Sequence, residues 1–222
     1  MRAFRAKGER YVAKVDEVER EVISRLAADV AELLGASEAQ LASATEQQGP
    51  DDAEPWDLPP LGGLDHVLAG VTDERGPSEP LDPALRRLLP PASDDAEVAE
   101  EFRRFTQVDL RAHKIERLLA FVRALHAGAE KERLAIPRDK ADLLAGALVD
   151  IRLVLAERLG LDTDEAADAL YDELSNLEQG GELPEGPAAA LRLHLGTAYA
   201  ALTWLQESLV TAQLTDLDAP DA

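Results

Sequence analysis

The chain has 222 residues, of which 45% are hydrophobic and 4% aromatic; it has no cysteine and a formal net charge of -21. That length suffices for one domain with a real core, built from Leu, Ala, Val and Ile, a mixture that favours helices over a β-sandwich. The absent cysteines exclude disulfides, thiol nucleophiles and thiolate metal sites. The charge disfavours nucleic acid and anionic membranes as direct ligands and favours a basic protein partner.

Residues 1–15 alternate apolar and polar side chains on either side of Lys7-Gly8-Glu9, which predicts a β-hairpin. Two strands alone are marginal, so the hairpin must pack on something. The same stretch, MRAFRAKGERYVAKVD, lacks the apolar run of a secretory signal, so a cytoplasmic location is expected. Arg exceeds Lys and Ala is abundant, as in a high-GC bacterial genome.

Asp16 and Glu19 have capping-box spacing and open a helix with an apolar stripe from Val18 to Leu34; Gly35 ends it. Residues 36–80 are rich in Pro, Gly and carboxylates and read as a loop, most mobile at about 38–56, in which Leu61 to Val71 and Leu81 to Leu89 dock as single turns. A helix starts near Asp94 or Asp95. Thr106 and Asp109 have N-cap spacing, which predicts a break there and a new helix to about His126. Pro137 reads as a first-turn proline of the next helix, which Gly160 ends, and Thr163 caps the one after it. Pro187 opens the last helix, where Arg192 and Glu207 are the only charged residues between 188 and 214. Apolar residues on several of its faces predict that it is wrapped by the chain or lies at a seam between two copies. The whole reads as a mainly α chain: one helical domain over 1–222, a bundle of five to six helices with a small N-terminal β-hairpin.

Arg111 precedes Ile115 and Leu118 by one and two turns and is expected to face the core, with Asp150 or Glu207 as partner. The bland reading is an ion pair that sets helix register. The functional one is an anion site near Arg111, Lys114 and Asp150, with Arg104 and Arg152 nearby; residues 99–128 read as the one locally basic stretch. Tyr199, Trp204 and Val210 are the candidate interface residues of the last helix. His113 and Glu116 have half the spacing of a carboxylate-bridged metal site, but no second such pair exists, so they read as a surface pair and no metal is expected. Ser208 and His194 lie too far apart on one helix to couple, and GxSxG, GxGxxG, P-loop and HExxH motifs are all missing. No catalytic residue and no cofactor is assigned.

MRAFRAKGER, the helix start at Asp16 to Arg20, DPALRRLLPPASDD at 82–95 and EFRRFTQVDLRAHK at 101–114 form an ordered series with ALVDIRLVLAERLGL at 147–161 and YAALTWLQESLV at 199–210. Together they resemble an actinobacterial family, the domain of unknown function DUF2017. The resemblance implies a cytoplasmic helical protein with an N-terminal hairpin. Genes of the family often lie near those for cysteine biosynthesis and for an adaptor of the Clp protease, and some members are described as regulators with a role in oxidative stress. A role that needs a Cys pair does not carry over. Relatives show Asn-Asp-Leu-Arg where this chain has Val149-Asp150-Ile151-Arg152, so no role of that amide carries over either. The expected function is regulation or adaptor activity, without enzymatic chemistry, through contact with a protein partner or a second copy. The alternative is a regulator that responds to a small anion near Arg111, Lys114 and Asp150. An enzyme comes third.

Overall fold

The computed structural model describes residues 1–46, 55–56, 80–127, 132–183 and 185–217. It is mainly helical, as expected. Strands β1 (Arg2–Lys7) and β2 (Arg10–Lys14) form the predicted hairpin. Its two-residue loop, Gly8-Glu9, puts Gly8 at φ 57, as in turns that match the twist of the strands. A third strand, β3 (Arg133–Pro137), pairs antiparallel with β2 and completes a sheet of order β1-β2-β3. This strand corrects the reading of Pro137, which ends β3 and leads through a 3-10 turn to a helix that starts only at Ala141.

Seven α-helices lie among the described residues. The Asp16–Glu19 capping box opens α1 (Glu17–Leu33) as predicted. Helix α2 (Glu38–Thr45) stands where a mobile loop was expected; Ser37 and Gln40 form a second capping box, and Ala44 is buried. The remainder of the predicted loop, apart from Pro55 and Trp56, lies outside the described residues up to 79. The Leu81–Leu89 patch contributes α3 (Pro83–Leu88), capped by Asp82.

Helix α4 (Ala96–Ala127) is continuous, which corrects the predicted break. The Thr106 hydroxyl donates to the carbonyl of Phe102 inside the helix (2.8 Å) instead of capping a new one. Helix α5 (Ala141–Leu159) ends at Gly160 in the left-handed region; α6 (Asp164–Glu178) is capped by Thr163, and α7 (Pro187–Leu217) opens at Pro187.

One apolar cluster joins the inner face of the sheet to α1, the C-terminal half of α4, α5 and α7. Phe4, Tyr11, Ala13, Leu134 and Ile136 supply the sheet's share. Trp56 stacks on Phe121 with ring centroids 6.4 Å apart, and its indole N–H donates to the carbonyl of Ala135 (3.2 Å). Helix α7 buries Ala198, Leu202, Leu205 and Leu209 against this core but leaves Trp204, Val210 and Leu214 exposed, so the described residues cover it on one side only. No described helix is long and apolar enough to cross a membrane.

Candidate functional site

Asp150 is the buried polar centre of the molecule. It lies mid-way along α5, beside Ile151 of the core stripe, and is 0% exposed. The facing turns of α4 bring two cations to it. Lys114 Nζ donates to Oδ1 at 2.6 Å, and Arg117 donates to Oδ2 through Nε at 2.8 Å and also through Nη2. A carboxylate without water is stable only when its lone pairs are occupied, and here both oxygens accept charged donors. Space for Arg117 comes from Gly146, one turn before Asp150. A Cβ there would lie 2.5 Å from Arg117 Nη1. The local sum is two cations to one anion. Burial, and after it the charges of Arg117 and Lys114, hold the pKa of neighbouring His113 below its usual value.

The sequence candidates divide around this triad. Lys114 and Asp150, two candidates for the anion site, pair with each other, but Arg111 does not reach Asp150. It is half-buried and donates to the carbonyl of Leu34 (3.3 Å), which corrects its expected pairing with a carboxylate. Burial alone pulls its pKa down. Arg104 and Glu207 are exposed and join neither group. Glu116 is buried, so His113 and Glu116 are not the surface pair that was expected. Among the described residues no group of three or more potential metal ligands occurs.

Arg152, one turn-face away on α5, ties α5 to α7. Its guanidinium donates to Gln206 Oε1 at 2.8 Å and to the Tyr199 hydroxyl at 3.5 Å, with the carbon 5.3 Å from the centre of the Tyr199 ring. Tyr199 is therefore partly committed within the chain, whereas Trp204 (41% exposed) and Val210 remain on the open side of α7. Val149, beside Asp150, is exposed.

Sequence reasoning missed a second feature. Over its first three turns α4 buries Ala99 and Gln107 and half-buries Arg103, while Val98, Phe102 (53% exposed) and Phe105 (74% exposed) face solvent. Those three stand at i, i+4 and i+7, one helical stripe. The signal was in the sequence: Phe102 and Phe105 lie one and two positions off the buried and half-buried 99, 103, 107 stripe. Reading a break at Thr106 hid it.

A family model described as Domain of unknown function (DUF2017) matches residues 1–213, and the chain belongs to that family. Comparison with curated proteins and with solved structures returned no match.

Proposed function

We propose that this DUF2017 member is a non-enzymatic adaptor or regulator that acts by protein contact. The observation that carries the reading is the inverted first half of α4, which buries small and polar residues and presents Val98, Phe102 and Phe105 outward. Burying a phenylalanine is worth about 1.5–3 kcal/mol relative to leaving it in water. Apolar anchors at i, i+4 and i+7 are the pattern by which a helix lies in a partner's groove. The occupant is a partner protein with an apolar groove, and exposed Glu101, on the stripe between Val98 and Phe105, favours a basic group on its rim.

The test is retention of partners from a native lysate of the source organism at low salt by tagged protein and by the Phe102→Ser/Phe105→Ser variant. A protein held by the first and lost by the second supports the reading. Retention of no protein, or equal retention by both, refutes it. The open side of α7 favours a second copy as well, since Trp204, Val210 and Leu214 are exposed on a stretch whose only charge between 193 and 215 is Glu207, where two strongly acidic chains meet with least repulsion. Light scattering on the full chain and on Trp204→Glu tests that. A dimer that becomes a folded monomer supports the seam, and an unaltered mass overturns it.

The small-anion reading draws on the surplus cation of the Lys114–Arg117–Asp150 triad. A rise in Tm with millimolar sulfate or phosphate, lost in Lys114→Met, would favour it over protein contact alone.

A further inference from the structure

The outer face of the sheet gathers positive charge in a chain whose formal net charge is -21. Cross-strand partners point to the same side of a sheet. The register therefore places Arg2, Lys14 and Arg133 in one row, Arg5, Val12 and Ala135 in the next, and Lys7, Arg10 and Pro137 in the third. Residues 1–14 hold five bases and one acid, so the sequence expectation of a single basic stretch at 99–128 is corrected. The bases were hard to see as a group because Arg133 comes from a strand far along the chain.

Like charges directly opposite one another destabilise a sheet, and the first row sets three cations abreast. Among the described residues, Arg2, Arg5, Lys7 and Arg133 have no ion-pair partner; Lys14 pairs with Glu132 at 2.8 Å, both side chains half exposed. These five cations, with Glu132 as the one acid and Ala3, Ala6, Val12 and Ala13, line an open concavity of about 390 Å³.

We infer that this concavity docks a short, extended acidic segment of a partner protein, with a carboxylate at every second residue. Outward positions on a strand repeat about every 6.8 Å, and so do side chains on one face of an extended peptide, so carboxylates at alternate positions fall on successive rows. Val12 and Ala135, the small middle of the three rows, leave room for such a backbone between the cations. The overall charge selects for a short ligand. Screening confines its interactions to about 8–10 Å, where the cations dominate, whereas a nucleic-acid duplex or a membrane extends over the rest of the acidic surface. The lining holds no aromatic ring on which a single-stranded base could stack. This face is separate from the contact stripes of α4 and α7, so the two readings stand or fall independently.

The experiment is fluorescence anisotropy of the full chain with a labelled peptide of alternating Glu and Ser, at low salt. The comparison ligands are a block peptide of the same composition, oligo-dT, and vesicles of anionic phospholipid. The alternating peptide is expected to bind, and to weaken at least tenfold in Arg5→Ser/Arg133→Ser. Arg25→Ser, exposed on α1, should leave the affinity unchanged. Both substituted positions are exposed, so the double variant is expected to melt no lower than the parent. Lys7→Ser alone should weaken binding severalfold and decides the matter if the double variant does not fold. No binding at millimolar peptide, equal binding by the variants or by the block peptide, or tighter binding of oligo-dT or vesicles overturns the inference.

Discussion

Replacing Asp150 with Asn removes one charge and leaves two cations buried against each other. The side chains of Lys114 and Arg117 are only 11% and 15% exposed, and Asp150 is not exposed at all, so water compensates little. Breaking a pair in such surroundings costs about 3–5 kcal/mol, against about 0–1 kcal/mol for a surface pair. With a urea m-value of about 2 kcal/mol/M, the loss moves the unfolding midpoint down by about 1.5–2.5 M. Urea titration followed by far-UV circular dichroism reads this directly. The same reasoning requires that Asp150→Leu combined with Lys114→Met and Arg117→Met recover most of the loss, because no charge is then buried. A loss below about 1 kcal/mol in Asp150→Asn, or a triple variant as weak as the single one, would refute it.

Gly146→Ala should be destabilising by about 1–2 kcal/mol in the same assay. The gain of roughly 0.5–1 kcal/mol in helix propensity is outweighed when the new methyl displaces Arg117 from Asp150. Stability should fall as the pH drops below about 6.5, because folded His113, held low mainly by burial and then by Arg117 and Lys114, takes up its proton later than the unfolded chain does. The contribution is complete above that pH and is lost on the way down through the lowered pKa. His113→Gln should flatten Tm against pH between about 5 and 7, leaving the same-signed share of His126, whose pKa burial also lowers. Asp82→Ala should cost about 0.5–2 kcal/mol, since Asp82 both caps Ala84 of α3 (2.8 Å) and accepts from Arg158 of α5 (2.7 Å). Its pKa lies below the usual carboxylate range, first because of Arg158, so that contribution persists through neutral pH and disappears only in acid.

What sequence reading recovered was mostly local chemistry. The hairpin, the Asp16–Glu19 box, the Thr163 cap and the Pro187 start each depend on residues within a few positions of one another. What it missed depends on distant partners. RLAIP at 133–137 becomes a strand because β2, more than a hundred residues earlier, offers a free edge. Thr106 has the side chain of a cap, but inside a helix its hydroxyl is satisfied by the preceding turn, and spacing alone does not distinguish the two. Lys114 and Asp150 were among the residues singled out for an anion site, whereas Arg117, the third member of the ion-pair cluster, was not. Its approach requires the groove left by Gly146 on another helix.

The unbroken course of α4 makes it a lever. At 1.5 Å per residue its 32 residues span about 48 Å, with Phe105 only about 14 Å from Lys114. The outer arm projects its phenylalanines and the inner arm is fixed in the core by Ile115, Leu118, Phe121 and the Asp150 triad. Whatever grips the outer arm also pulls on the fulcrum. A load applied at one end reaches the molecule's best-anchored charges without passing through a hinge.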